Sequence, residues 1–133
     1  MAGAEIHGAA LITTAAAEFG TALPAGGVLI GLDLGSHTIG TAFCDAGWSF
    51  ASPGELIRRS KFAKDKAALV AAIATRATQG IVVGLPLNMD GSESPRSQSS
   101  RAFARNIADL GLPILLWDER WYTVAAERVM IEA

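Results

Sequence analysis

Residues 28–36 read VLIGLDLGS, and this short stretch decides which fold the sequence predicts. The apolar run from residue 28 to residue 33 is typical of a β-strand, and Gly35 with Ser36 closes it. The run ends in Asp33, whose charge is costly in an apolar setting unless it is paired or bound to metal. Aspartate is also common in turns, so at this point a metal ligand and a turn residue are equally weighted interpretations of Asp33.

Two further strands follow closely. The sequence predicts a second strand over residues 39–44, and a turn at 45–47 leads to a third short strand over 48–51. We expect these three strands to form an antiparallel meander that ends at residues 52–54.

Helices and strands alternate in the rest of the chain. The run at residues 81–85 is rich in β-branched side chains, as expected of a strand buried on both faces. The other predicted elements are a helix over 64–79 that ends at Gly80, a helix over 96–110 before Gly111, a strand over 113–117 and a helix over 123–131. The order βββαβαβα predicts an α/β fold with a mixed five-stranded sheet, order 3-2-1-4-5, flanked by helices as in the ribonuclease-H-like fold.

Length and composition limit the class of protein. The 133 residues suffice for one domain, which we place at residues 27–133 after a partly flexible N-terminal extension over 1–26 with a short helix near 9–19. Half of the residues are hydrophobic and 18% are charged, which excludes a disordered chain. No apolar run approaches the roughly 18 residues of a membrane span, and the start lacks the basic segment of a signal peptide. We therefore expect a cytoplasmic protein without membrane contact.

Charge is distributed unevenly along the chain. All eleven Lys and Arg residues lie between Arg58 and Arg128, although the net charge is −2. The C-terminal part is therefore slightly basic, and nucleic acid is an admissible partner. The lone Cys44 allows no intramolecular disulfide and carries no functional argument.

Acidic side chains follow two of the predicted parallel strands. In open α/β sheets, sites form where the carboxyl ends of such strands meet, which brings Asp33 toward Asp118 and Glu119. Two strand spacings separate the first and fifth strands by about 9 to 10 Å, and the longer Glu119 spans this gap better than Asp118. Acids at a helix N-terminus are the alternative interpretation. Because Asp33 is expected at the same edge of the sheet, a metal site is favoured over the helix N-terminus.

Polar and basic residues near the same edge are candidates for substrate contacts. Asn88 offers amide contacts to a phosphate or sugar, whereas Asp90 and Gly91 of the same loop fit a turn. Arg96 starts a helix beside this loop and is a candidate phosphate contact. His37 fits a turn residue and a catalytic group equally well.

Three motifs together resemble the YqgF family. They are GLDLGSHTIG at residues 31–40, VGLPLNMDGSE at 83–93 and WDER at 117–120, and the resemblance extends in order over about residues 27–133. It implies a cytoplasmic nuclease of ribonuclease-H-like fold that depends on Mg²⁺ or Mn²⁺ and processes the 5′ end of pre-16S rRNA during ribosome biogenesis. The implied partners are structured RNA, with branched DNA and a small-subunit ribosomal precursor as further candidates, and a homo-oligomer is left open.

The resemblance also carries residue roles. Asp33 and Glu119 match the family's catalytic acids and are the predicted metal ligands, together with Asp118. The predicted substrate contacts are Asn88, Arg96, Arg120, His37 and Thr123.

Two departures from the family pattern affect these expectations. His37 stands where the family usually has Lys, and Trp121 and Tyr122 replace smaller residues, so local substrate contacts are expected to differ. The family continues into a further helix with another site aspartate, and we expect that helix to be absent here because the sequence stops at Ala133. The alternatives left open are a non-catalytic RNA- or ribosome-binding module and a Holliday junction resolvase, with an actin-like ATPase fragment ranked last.

Overall fold

A computed structural model describes residues 5–7, 10–24, 27–44 and 51–120 of the chain. The strands are β1 (Glu5–His7), β2 (Ala10–Thr13), β3 (Leu29–Leu34), β4 (Thr38–Cys44), β5 (Ala51–Pro53), β6 (Ile57–Arg58), β7 (Gly80–Leu85) and β8 (Ile114–Asp118). The helices are α1 (Ala16–Thr21), α2 (Phe62–Arg76) and α3 (Pro95–Asn106), and a 3-10 turn follows at Ala108–Leu110. Within the described residues, no helix has the length and apolar character that crossing a membrane requires.

All these strands belong to one mixed sheet. Its order is β1-β2-β8-β7-β3-β4-β5, with β6 paired to β4 beside β5. The five predicted strands correspond to β3, β4, β5, β7 and β8, and they lie in the predicted order. The sheet is mixed, since β7 is parallel to β3 and β8, whereas β4 is antiparallel to β3. The predicted strand count was too small, since β1, β2 and β6 extend the sheet to eight strands.

The main core lies between the sheet and helices α2 and α3. Ile30, Ile81 and Ile114 occupy neighbouring positions on three adjacent strands and are fully buried. Leu69 of α2 and Phe103 of α3 pack into the same cluster. Burying each such side chain stabilises the fold by about 1.5 to 3 kcal/mol. This layer therefore holds the central strands, and with them their ends, in place.

Among the residues that the structure describes, helix α1 covers one end of the opposite face of the sheet. There, Phe19 and Leu23, in and just after helix α1, pack against Leu115 of β8. A Cβ atom at Gly80 would lie 2.7 Å from Leu23 Cδ2 and 3.0 Å from Phe19 Cζ. Gly80 therefore allows α1 to approach the sheet closely. The prediction that Gly80 ends the preceding helix was wrong, because Ala77, with φ of 49°, adopts the left-handed conformation there.

The N-terminal residues form a strand and a short helix, whereas the sequence predicted a single helix near residues 9–19. Residues Ala10–Thr13 form β2, which pairs in parallel with β8, and Ile12 is buried in the main core. The hydroxyl oxygen of buried Thr13 accepts a hydrogen bond from the amide of Ala15 at 3.0 Å, just before α1 begins. The helix therefore starts at Ala16, because the preceding residues are held in the sheet.

The other boundaries shift by a few residues. The third strand is Ala51–Pro53, and residues 48–50 of its prediction lie outside the described residues. The predicted helix over 96–110 is α3 followed by the 3-10 turn, and it ends at Gly111, with φ of 79°. The predicted helix over 123–131, with Trp121, Tyr122 and Thr123, also lies outside the described residues.

Candidate active site

Strand alternation sends the two adjacent acids at the end of β8 in different directions. Along β8, Leu85 pairs with Asp118 and Gly84 pairs with Trp117. Because successive side chains of a strand point to opposite faces, Asp118 lies on the side of buried Leu85 and Leu116, and Glu119 lies on the side of Trp117. Glu119 therefore shares the face of Asp33, whereas Asp118 does not.

Glu119 lies directly over Gly84 of the neighbouring strand. A Cβ atom at Gly84 would be 3.1 Å from Glu119 Cδ and 3.3 Å from its Cγ, and closer still to Oε1. The Glu119 carboxylate thus occupies space that any other residue at position 84 would fill. A glycine inside a strand often marks such a close approach.

Asp33 and Glu119 line one open cleft on this face of the sheet. The cleft has a volume of about 640 Å³, and its floor includes Gly31, Gly40 and Gly84. Gly40 is the cross-strand partner of Asp33, so no side chain flanks Asp33 on that strand. The floor beside the two carboxylates is therefore flat and accessible to a bulky ligand.

The two carboxylates influence each other electrostatically. Burial, and next the charge of Asp33, raise the pKa of Glu119 above its usual range, whereas the Arg96 guanidinium opposes this shift. Two carboxylates that repel in this way favour a proton or a cation between them. Their oxygen atoms are the ligands that Mg²⁺ and Mn²⁺ prefer, and Mg²⁺ is commonly held by one or two carboxylates.

The predicted third metal ligand, Asp118, is not brought into this group. Within the described ranges, no three acidic, histidine or cysteine side chains gather as a metal cluster. Both Asp118 oxygens instead accept hydrogen bonds from Arg120, with Oδ2 at 2.7 Å from Nη2. These bonds hold the pKa of Asp118 below its usual range. Strand alternation turns this side chain away from Asp33, and metal ligation by Asp118 stays a prediction.

Arg120 joins the end of β8 to the loop after β7. Besides the bonds from Nε and Nη2 to Asp118, its Nη1 donates to the carbonyl oxygen of Met89 at 3.0 Å. All three guanidinium nitrogens therefore donate to acceptors of the protein. Arg120 thus supports the loop, and its contact with a phosphate stays a prediction.

The loop itself is closed by its own polar groups. The Asn88 amide nitrogen donates to Ser92 Oγ at 3.0 Å and to the Glu93 carbonyl at 3.1 Å. Asp90 Oδ1 accepts from the Ser92 amide at 2.9 Å, and Gly91 has φ of 89°. Both amide hydrogens of Asn88 are thus used within the loop, and a substrate contact by this side chain stays a prediction. The turn predicted at Asp90 and Gly91 is present.

Arg96 and His37 lie close to the end of β3. Arg96 Nη2 donates to the Leu34 carbonyl oxygen at 3.1 Å, and its charge acts on Glu119. His37 is exposed in the turn after β3, and its carbonyl oxygen accepts from the amide of Arg59 at 2.8 Å. The turn interpretation of His37 is confirmed, and a substrate contact by either side chain stays a prediction, as it does for Thr123 outside the described residues.

Two contributing residues were missed in the sequence. The strand interior glycine at position 84 was a usable signal, because glycine there weakens a strand unless something approaches it. Arg59 donates from Nη1 to the Gly35 carbonyl at 2.7 Å, and nothing in the basic cluster around it singled it out.

Comparison with known proteins gives one consistent family. The family model described as RuvX, Holliday junction resolvase, matches residues 27–133. A protein of Sphingopyxis alaskensis named "Putative pre-16S rRNA nuclease" is 66% identical over 123 residues, which are 92% of this chain and 81% of that protein. A protein of the same name from Zymomonas mobilis is 55% identical over 115 residues, which are 86% of this chain and 71% of that protein.

Structural comparison supports the fold independently. The RuvC structure of Thermus thermophilus superimposes with a TM-score of 0.50 at 15% identity, over 68% of this chain and 63% of the RuvC chain. The predicted ribonuclease-H-like fold is thereby confirmed, as is the resemblance to the YqgF family. On the match over residues 27–133 and the identity to these relatives, the chain belongs to the RuvX (YqgF) family.

Proposed function

We propose that the chain is a nuclease that hydrolyses phosphodiester bonds of nucleic acid in the cleft between Asp33 and Glu119. The observation that carries this proposal is the pairing of two carboxylates, on adjacent parts of one sheet face, over a floor of glycines. The name of the relatives supports the precursor of 16S rRNA as substrate. Cleavage at the 5′ end of this precursor, during ribosome biogenesis, is part of the same proposal.

Asp33 and Glu119 would hold a divalent cation, Mg²⁺ or Mn²⁺, in this cleft. The donor set fits, because both groups supply hard oxygen atoms. Burial, and next the charge of Asp33, raise the pKa of Glu119, and a cation relieves the repulsion between the two carboxylates. Such a cation, when bound, supplies charge stabilisation at the scissile phosphate and lowers the pKa of a water molecule.

The protein's own residues would position the substrate. The flat floor at Gly31 and Gly40 lets a sugar-phosphate backbone come close to Asp33. Arg96 lies beside Glu119 and brings positive charge to a site that must accept a phosphate. Arg120 fixes the loop after β7 to the end of β8, next to Glu119.

Metal-dependent cleavage of a pre-16S rRNA fragment tests the proposal. Wild-type protein should cleave with Mg²⁺ or Mn²⁺ and stop in EDTA, and Asp33→Asn should lower the rate at least about hundredfold, since the cation contributes several kcal/mol. Asp109→Asn is a matched control, because Asp109 is exposed and paired only with Lys66 among the described residues. Equal rates for wild type and Asp33→Asn would reject the assignment.

A branched DNA substrate is the second candidate, because the matching family model is described as a Holliday junction resolvase. The two substrates should be compared under the same metal and salt conditions, since phosphate contacts alone do not distinguish them. Binding of either one in EDTA, without cleavage under any metal, would instead identify a non-catalytic binding module.

A further inference from the structure

The turn between β3 and β4 begins two residues after Asp33 and therefore contributes to where its carboxylate lies. Leu34 ends β3, and the amide of Gly35 donates to the carbonyl of Thr38 at 2.8 Å to close the turn. Asp33 itself is on the exposed side of the strand. Its position consequently depends on the backbone that it shares with the turn.

Arg59 holds this turn through two hydrogen bonds. Its Nη1 donates to the Gly35 carbonyl oxygen at 2.7 Å, and its amide donates to the His37 carbonyl oxygen at 2.8 Å. Arg96 donates to the Leu34 carbonyl oxygen from helix α3 at 3.1 Å. The two carbonyl groups that follow Asp33 are thus each bound by a guanidinium group from a different part of the fold.

Arg59 is itself anchored to a buried part of helix α2. The next residue, Ser60, donates from its amide to Asp65 Oδ1 at 3.0 Å, and its hydroxyl lies 3.4 Å from the same atom. Asp65 is only 3% exposed and lies in the first turn of α2, where the helix dipole favours a negative charge. A rigid element thereby fixes the backbone from which Arg59 reaches the turn.

We propose that Arg59 is a positioning residue for the active site, which holds the β3–β4 turn so that Asp33 faces Glu119. The inference rests on the nuclease function proposed above, because Asp33 and Glu119 are the ligands assigned there. Arg59 itself is assigned no contact with substrate. Residues that orient a metal ligand typically contribute about 10- to 100-fold to metal affinity or activity.

The sign of the effect separates positioning from simple electrostatics. Removing a positive charge near two carboxylates should by itself make a divalent cation bind more tightly, because opposing charge is lost. Loss of positioning should make it bind more weakly. A weaker affinity after removal of Arg59 therefore cannot come from the charge change.

The experiment measures Mn²⁺ affinity by calorimetry and amide hydrogen exchange by NMR on the full chain. Arg59→Met keeps the aliphatic stem and removes the donor; it should weaken Mn²⁺ binding about tenfold or more and speed exchange of the Gly35 amide about tenfold. Arg58→Met is the matched control, because Arg58 is the exposed neighbour without a side-chain hydrogen bond in the described structure. Its affinity and exchange should stay within about twofold of wild type.

Arg59→Lys keeps the charge and one donor and should lie between wild type and Arg59→Met in both measurements. Unchanged or tighter Mn²⁺ binding by Arg59→Met, or unchanged exchange at Gly35, would overturn the inference. If Arg59→Met does not fold, Arg59→Lys decides, and wild-type values in both measurements then overturn it. Wild-type protein that binds no Mn²⁺ would refute the proposed function instead, and the exchange of the Gly35 amide would still test the role of Arg59.

Discussion

Substituting Gly84 by alanine should remove Glu119 from the site while leaving the fold in place. The new Cβ atom would lie 3.1 Å from Glu119 Cδ and 3.3 Å from Cγ, with Oε1 closer still. Such an approach is too close for Oε1, so one of the two groups must move. Gly84 lies within β7 and is fixed by pairing with Trp117, whereas the Glu119 side chain can rotate. We therefore expect the carboxylate to leave the cleft.

Two opposing terms determine the stability of this variant. Alanine inside a strand is favoured over glycine by roughly 0.5 to 1 kcal/mol, because the unfolded chain loses flexibility. Overpacking usually costs about 1 to 3 kcal/mol, and the lower end applies when the neighbour is a mobile side chain. The free energy of unfolding should consequently change by less than about 2 kcal/mol, while loss of a metal ligand should weaken Mn²⁺ binding by about a hundredfold.

Calorimetric titration with Mn²⁺ and urea unfolding in EDTA check both expectations. Gly31→Ala is the matched control on the same face of the sheet, since its Cβ would meet only the Ala42 carbonyl oxygen, at 3.8 Å. Its Mn²⁺ affinity should stay within a few fold of wild type. If Gly84→Ala bound Mn²⁺ as tightly as Gly31→Ala, Glu119 would not be a ligand and the reasoning would be refuted.

Three further predictions concern titration, the loop and the N-terminal segment. Because the pKa of Glu119 is raised in the folded state, the folded protein binds this proton more tightly than the unfolded chain, and metal-free stability should fall as pH rises from the usual carboxyl range through the raised pKa. Urea unfolding in EDTA across this pH range should show that Glu119→Gln removes this component. Arg120→Ala should leave the salt dependence of RNA binding unchanged, because its guanidinium is bonded to Asp118 and Met89. Arg96→Ala should reduce the slope of log affinity against log salt concentration by about one if Arg96 contacts a phosphate. Filter binding at several salt concentrations distinguishes the two variants. Gly80→Ala should destabilise the fold by about 1 to 3 kcal/mol in urea unfolding, because its Cβ would meet Leu23 at 2.7 Å, and a wild-type midpoint would show that α1 does not pack there.

The central strands could be predicted because their burial requires apolar residue types, which are visible in the sequence. Residues 81–85 are apolar, the first three are β-branched, and Ile81, Val83 and Leu85 are nearly inaccessible to solvent. Short antiparallel connections and helical crossovers then allow few strand orders. Hence the order of the five strands followed from the sequence, although the N-terminal strands did not.

Residues 10–13 illustrate why the remainder was not predictable. Their strand structure depends on pairing with β8, which is a hundred positions later in the chain. Ala, Leu and Thr in this segment are compatible with a helix as well as a strand, so only the tertiary partner decides. A long-range pairing of this kind leaves no local signal.

The shared location of the two acids was predictable, whereas the contacts that support the neighbouring loop were not. Asp33 and Glu119 share a face because of strand phase, which the sequence could specify once β8 was known to end at Asp118. The hydrogen bonds of Asn88 and Arg120 could not be predicted, because each side chain has several chemically similar acceptors nearby in the sequence. Only the folded loop shows that Ser92, Glu93 and Met89 are the partners used.

The arrangement of charge bears on whether the cleft binds RNA passively or cleaves it. A surface that only holds RNA gains affinity from cations opposite phosphates, and carboxylates there would repel the backbone. This cleft instead places Asp33 and Glu119 over a glycine floor, although each glycine weakens its strand by roughly 0.5 to 1 kcal/mol. Burial, and next the charge of Asp33, also raise the pKa of Glu119. A cation between the carboxylates turns this costly arrangement into a phosphate-binding one, which is why metal dependence is the property that separates the nuclease from the binding module.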